Sequence, residues 1–121
     1  MLTEKNIESF LIDNMNTKFK RASHVNWKGR VNFYLSIQNE FIKNNRLKCI
    51  VLDSFSVTHE KFLGTGNMTN ILDFIENLAI KYNLPVIINS VLEPEKLGVY
   101  LKKRGYIEGI LSNPASYWKF F

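Results

Sequence analysis

Between Lys48 and Tyr82 the chain reads as a strand, a glycine-bearing loop and a helix, and this succession restricts the fold more than any other feature. KCIVLDSFSV (Lys48 to Val57) is strand-like, and FLGTGNMTNIL (Phe62 to Leu72) carries Gly64 and Gly66. Met68, Ile71, Leu72, Ile75, Leu78, Ala79 and Tyr82 then recur at helical spacing, predicting a helix over Thr69 to Tyr82 that Asn83-Leu84-Pro85 ends. A strand running through such a loop into a helix N-terminus leaves backbone N–H groups unpaired and pointing outward. That arrangement suits a phosphate or pyrophosphate.

The elements around this unit are read from period and turn chemistry. Thr3 can cap a first helix, with Asn6 where a capping box would prefer Glu; Ile7, Phe10, Leu11 and Met15 form its apolar stripe to about Asn16. Val31, Phe33, Leu35 and Ile37 alternate with polar residues, although Val31, Tyr34, Leu35, Gln38, Phe41 and Ile42 also fit a helix. Lys28-Gly29 and Asn44-Asn45 decide for strands, because both pairs tolerate the positive φ of tight hairpins. The expected meander is Ala22–Trp27, Arg30–Lys43 and Arg46–Val57. VIINSV (Val86 to Val91) reads as a buried strand, Pro94 opens a further helix with Leu97, Tyr100 and Leu101 inward, and Gly105 stops it. Tyr106 to Leu111 and Ser116 to Phe121 read as a closing hairpin through Ser112 to Ala115.

The chain has 121 residues, which fits one domain over residues 1–121, and 45% hydrophobic residues supply a core. No apolar run approaches the roughly 20 residues that span a bilayer, and MLTEKNIESF lacks the regions of a signal peptide. Cys49 has no disulfide partner, so a reducing, cytoplasmic setting is expected. A net charge of +5 makes anionic partners, coenzyme phosphates, nucleic acid or acidic proteins, plausible. Lys18-Lys20-Arg21 and Lys102-Lys103-Arg104 are its two clusters, and solvated helix faces are the default reading of both.

With these residues in view, the chain resembles the GNAT superfamily of acyl-coenzyme A N-acyltransferases. Phe62 matches the aromatic of the family's loop, Gly64 and Gly66 its first two glycines, Thr69 the small polar residue and Ile71-Leu72 the leucine pair. Gly105-Tyr106 matches the Gly-Phe after the later helix. Leu63 stands at the Gln/Arg position, Met68 at the last Gly/Ala position, and Pro94 where an Asn is common. Leu101 stands where many members carry the Tyr that protonates the departing thiolate, and Tyr100 is displaced about 100° around the helix. The resemblance implies an α+β, GNAT-like mixed sheet with flanking helices, ordered α-β-β-β-α-β-α-β-β without the family's first strand. Short GNAT-like proteins of bacteriophages, including internal virion proteins and Mom-like DNA-base modifiers, look similar.

By the same resemblance, acetyl-coenzyme A is the cofactor and an amine the acceptor. The cofactor's phosphates fall to Leu63, Gly64, Thr65, Gly66, Asn67, Met68 and Thr69, and its pantetheine arm to the backbone from Phe55 to Val57. Asp53 and Glu60, with His59, are the candidate bases, and Tyr100 the substitute acid. Alternation puts Asp53 in line with Val51 and Phe55, a row in which a carboxylate needs a reason; a hydrogen-bonded structural carboxylate is the plain alternative. Asn89 and Ser90 break an apolar strand at its C-terminal end, either lining the acceptor side or capping the next helix. His24, His59 and the scattered acids have no metal-ligand spacing. The C-terminal WKFF is apolar enough for a partner surface or a strand exchanged in a homodimer. The competing function is a catalytically inactive structural, binding or inhibitor module on the same scaffold.

Overall fold

The structure, a computed structural model, describes residues 1–62, 64–89, 94–110 and 113–121. A short strand β1 (Leu2–Thr3) precedes helix α1 (Ile7–Asn14), and the meander follows as β2 (Arg21–Trp27), β3 (Val31–Ile42) and β4 (Asn45–Val57). A 3-10 turn (Glu60–Phe62) leads to α2 (Asn67–Tyr82) and β5 (Val86–Ile88). A π turn (Pro94–Gly98) continues into α3 (Val99–Lys103), and β6 (Ile107–Ile110) and β7 (Asn113–Lys119) complete the chain. The seven strands form one mixed sheet in the order β1-β2-β3-β4-β5-β7-β6.

The expected order of elements is observed, with β1 added ahead of it. Thr3 does not cap the helix as expected but ends β1: its N–H donates to Asn6 Oδ1 (2.7 Å), and the Lys5 N–H donates to Thr3 Oγ1 (3.3 Å). They close an isolated turn after β1, so helix α1 starts only at Ile7. Both hairpins turn through two consecutive left-handed residues, Lys28-Gly29 (φ 52° and 71°) and Lys43-Asn44 (φ 50° and 67°). The second turn is centred one residue earlier than Asn44-Asn45, because Asn45 already pairs with Ile42. Helix α2 begins at Asn67 rather than Thr69, and β5 ends at Ile88; Ser90 to Val91 of the expected strand lie outside the described residues. Strand β7 begins at Asn113, inside the expected turn, and lies between β5 and β6 rather than at an edge.

One irregularity changes which side chains share a face. Tyr34 pairs with Asp53 and Asn32 with Ser56, so β4 places an extra residue opposite Phe33. Ser54 takes φ 57° at this bulge. Ile50 and Leu52 face the main core, and beyond the bulge Phe55 and Val57 face it too. Asp53 therefore shares its face with Val51 but not with Phe55, and the expected row Val51–Asp53–Phe55 is broken.

All three helices bury their stripes in one cluster, with Ile7 and Leu11 from α1, Ile71, Leu72 and Ile75 from α2, and Leu101 from α3. The other sheet face carries a smaller cluster of Ile42, Cys49, Val51, Ile87 and Trp118. Burial there, aided by the charge of Glu40, pushes the Cys49 thiol up to about 12. The unfolded thiol ionises near 9, so its contribution to stability is complete below that pH and is lost as pH rises from about 9 through about 12. Native protein at pH 8 should leave a disulfide reagent such as DTNB unreacted and release one equivalent of product after denaturation; rapid native reaction would contradict this burial. For the bulge, Ser54→Val should cost about 1–2 kcal/mol in urea unfolding, while Ser54→Gly should be neutral or stabilising. Equal stability of the two variants would mean the left-handed backbone at 54 is not required.

Candidate functional site

The site arises where β4 outruns its parallel neighbour. Ile50, Val51 and Leu52 pair with Val86, Ile87 and Ile88, and the Asn89 N–H adds one bond to the Leu52 carbonyl (2.9 Å). Beyond it, Asp53–Val57 continue without a β5 partner among the described residues. A cavity of about 510 Å³ opens against this stretch, bordered by Phe55, Val57, Gly64, Gly66, Thr69 and Tyr100. The bulge contributes directly, because it turns Phe55 and Val57 toward the helix side, where the Phe55 ring lies 5.2 Å from that of Phe33.

The loop at the other wall is braced from within. The Asn67 side chain, buried at 5% exposure, donates to the Phe62 carbonyl (3.3 Å) and to Thr65 Oγ1 (2.8 Å). The Thr65 hydroxyl in turn donates to the Phe62 carbonyl (2.8 Å). Asn67 thus holds the loop's shape. Gly64 and Gly66 both have left-handed backbones (φ 66° and 80°), and a Cβ at either would meet nothing within 4 Å. The glycines answer to conformation, and the space beside them is open to a ligand. Gly66 occupies the cap position of α2 and no side chain caps that helix, so the first-turn N–H groups keep their outward dipole. Met68, the second helical residue, packs partly buried against the main core while also bordering the cavity.

A polar network closes the far wall. Tyr100 Oη and Thr69 Oγ1 are 2.7 Å apart. Arg104 NH1 donates to Tyr100 Oη (3.3 Å), Nε and NH2 hold both oxygens of Glu76 (3.1 and 2.9 Å), and NH2 also reaches Asp73 (2.8 Å). A guanidinium only donates, so Tyr100 must accept from it and keeps its own proton for Thr69 or for a group in the cavity. Glu76 raises the Arg104 pKa further, against the effect of burial. Burial, followed by the Glu76 charge, also raises Tyr106, whose hydroxyl donates to Glu76 (3.0 Å).

The expected binding residues Phe55, Val57, Gly64, Thr65 and Gly66 all border this cavity, as do Asn67, Met68 and Thr69. Leu63 lies outside the described residues, as does Ser90. Tyr100 borders the cavity, while Leu101 is fully buried. Glu60 sits exposed on the 3-10 turn and does not border the cavity. Asp53 is on the opposite sheet face, paired with Tyr34, whose ring is 3.9 Å from that of His24. By alternation Asn89 follows Ile87 on that face, and its Oδ1 accepts from the Ser116 hydroxyl. Asp53, Tyr34 and Asn89 thus form a polar row behind the gap. Sequence reasoning passed over Lys96, at the cavity wall, and Arg104; their spacing of four residues from Tyr100 on either side was the available signal.

Removing Arg104 tests this wall. Arg104→Met leaves the Glu76 carboxylate, 13% exposed, with Tyr106 alone and should cost about 2–3 kcal/mol in urea unfolding, discounted for partial exposure. A loss below about 0.5 kcal/mol would mean the clamp contributes nothing.

No family model matches the chain, and no curated protein matches it in sequence. Solved structures do match in shape. One is a point mutant of the AtaT toxin bound to the C-terminus of the antitoxin AtaR and acetyl-CoA, with a TM-score of 0.58 at 11% identity over 75% of this chain. The chain spans 60% of that toxin's length. Another is the KacTA–DNA complex, with a TM-score of 0.55 at 12% identity, covering 96% of this chain and 79% of the other. These likenesses show a shared mixed α+β, GNAT-like fold.

Proposed function

We propose that the chain binds acyl-coenzyme A, acetyl-coenzyme A in particular, and transfers its acyl group to an amine. The carrying observation is an uncapped helix N-terminus behind a left-handed glycine, opening onto a cavity where β4 has left its neighbour. The residues fit the group. First-turn N–H groups of α2 can hold pyrophosphate oxygens, Lys96 adds a cation at the wall, and Met68 packs against the core. The unpaired edge of β4 from Phe55 to Val57 offers backbone partners to the amides of an extended arm.

Acetyl-coenzyme A would supply an activated thioester whose carbon–sulfur bond breaks as the carbon–nitrogen bond forms. Asp53, on the sheet face behind the gap, takes the proton lost by an amine that approaches from that face, directly or through water. Tyr100 gives its proton to the departing sulfur, and Arg104 holds the phenol in place for that transfer. The acceptor belongs to a small molecule, a protein or a nucleic acid, and an intracellular site of action follows from the cofactor.

One observation favours a binding module without catalysis: Leu101, at the family's usual acid position, is fully buried. Binding and chemistry are therefore measured separately. Millimolar acetyl-coenzyme A should raise the melting temperature by several degrees, since a ligand at about 100 times its Kd adds about 2.7 kcal/mol. Met68→Gly should tighten binding, and Gly66→Val should weaken it. Absence of any shift would remove the acetyl-coenzyme A reading. Binding without free thiol release across a panel of amines, unchanged in Tyr100→Phe, would select the inactive module.

A further inference from the structure

At the end of the sheet away from this cavity, the segment between α1 and β2 carries Lys18, Phe19 and Lys20, and Arg21 opens β2. Of the loop or short helix that the residues from Thr17 to Ser23 allow, the structure shows a loop leading into a strand. The loop is held in place. Lys48 Nζ donates to the Met15 carbonyl and to the Thr17 carbonyl (2.7 Å), and the Thr17 hydroxyl lies 3.0 Å from the Phe19 carbonyl. This bracing fixes a large aromatic in water: Phe19 is 73% exposed. A hollow of about 330 Å³ lies between Lys18, Phe19 and Lys20 on one side and Gln38, Asn39 and Arg46 on the other. Phe41, also exposed, pairs across the hairpin with Arg46. Among the described residues, no ion pair engages Lys18, Lys20, Arg21 or Arg46. Glu40, on the same strand, accepts from Gln38 Nε2 (2.6 Å).

We infer that this hollow binds single-stranded nucleic acid. Unpaired cations on both rims match a chain of phosphates spaced along a strand, and the exposed Phe19 ring offers a stacking platform to an unpaired base. Asn39, at the rim, carries an amide able to meet a base edge, whereas the Gln38 amide is held by Ser36 and Glu40. A duplex keeps its base faces stacked inside and could use only the cations. An acidic peptide or an anionic lipid surface would also meet the cations, but neither supplies a flat base to stack on the ring, and both are outcomes of the test below. None of these residues borders the acetyl-coenzyme A cavity, so the inference stands whether or not that cofactor binds.

Fluorescence anisotropy of a labelled 12-nucleotide oligouridylate with the full chain, from 50 to 300 mM KCl, tests it. Three to four phosphate contacts predict a slope of log K against log salt of about −2 to −3, and Lys20→Ala or Arg46→Ala should each reduce its magnitude by about 0.7. Phe19→Ala should weaken binding about 5- to 100-fold with the slope unchanged. The Lys102→Ala/Lys103→Ala double variant, at the chain's other basic cluster, should bind as the parent does. Because the substituted side chains are exposed, unchanged melting temperatures should accompany every variant. No binding at 50 mM salt, equal loss in the Lys102/Lys103 control, or an unaffected Phe19→Ala would overturn the inference. So would a duplex, an acidic phosphopeptide or anionic phosphatidylserine vesicles binding as tightly as the oligonucleotide.

Discussion

The bulge at Ser54 is the constraint on which the rest of the architecture turns. A strand paired regularly to its end would send residues 54 and 56 toward the helices and 55 and 57 away from them. The extra residue reverses this, so Phe55 and Val57 join Ile50 and Leu52 on the helix side, while Asp53 stays on the opposite face with Val51. Among the described residues, the same strand end has no β5 partner. Reversal and loss of pairing together make an apolar wall on one face, a carboxylate on the other, and exposed backbone between them.

The opposite wall depends on a single cation. Arg104 sits just past α3, where Gly105 (φ 95°) turns the chain back toward β6. From there its guanidinium bridges two acids of α2 and the phenol of Tyr100, so the N-terminal half of α2 and the end of α3 are held at one spacing. That spacing determines where the Tyr100 oxygen meets Thr69. The loop from Phe62 to Asn67 is held by the side chains of Thr65 and Asn67 instead, leaving the first-turn N–H groups of α2 uncommitted.

Much of this was legible in the residues. The hairpins follow from Lys28-Gly29 and the asparagines after Ile42, and α2 follows from its apolar stripe, because turn chemistry and helical period are local properties. Two boundaries shifted by one or two residues where tertiary partners decided them: Asn45 was drawn into β4 by pairing with Ile42, and Asn67 into α2 by bracing the loop. The row Val51–Asp53–Phe55 could not be read correctly, since a bulge leaves no mark in an alternating pattern when the extra residue is a serine. Glu60 was a candidate by proximity in sequence alone, and the 3-10 turn carries it away from the cavity. Lys18 and Lys20 left a loop or a short helix open, and a solvated face was their default reading, whereas the loop before β2 sets them around a hollow with Arg46 from another strand.

What the amino-acid order determined by itself was the succession of elements, the glycines that permit a left-handed turn before α2, and the apolar faces that must be buried. Those depend on φ preferences and periodicity within a few neighbouring residues. The tertiary structure alone decided the parting of β4 from β5, the face on which Asp53 lies, and the meeting of Arg104 with Glu76 and Tyr100. Each of these depends on residues far apart in the chain, whose approach is set by the packing of helices against a twisted sheet rather than by local preference.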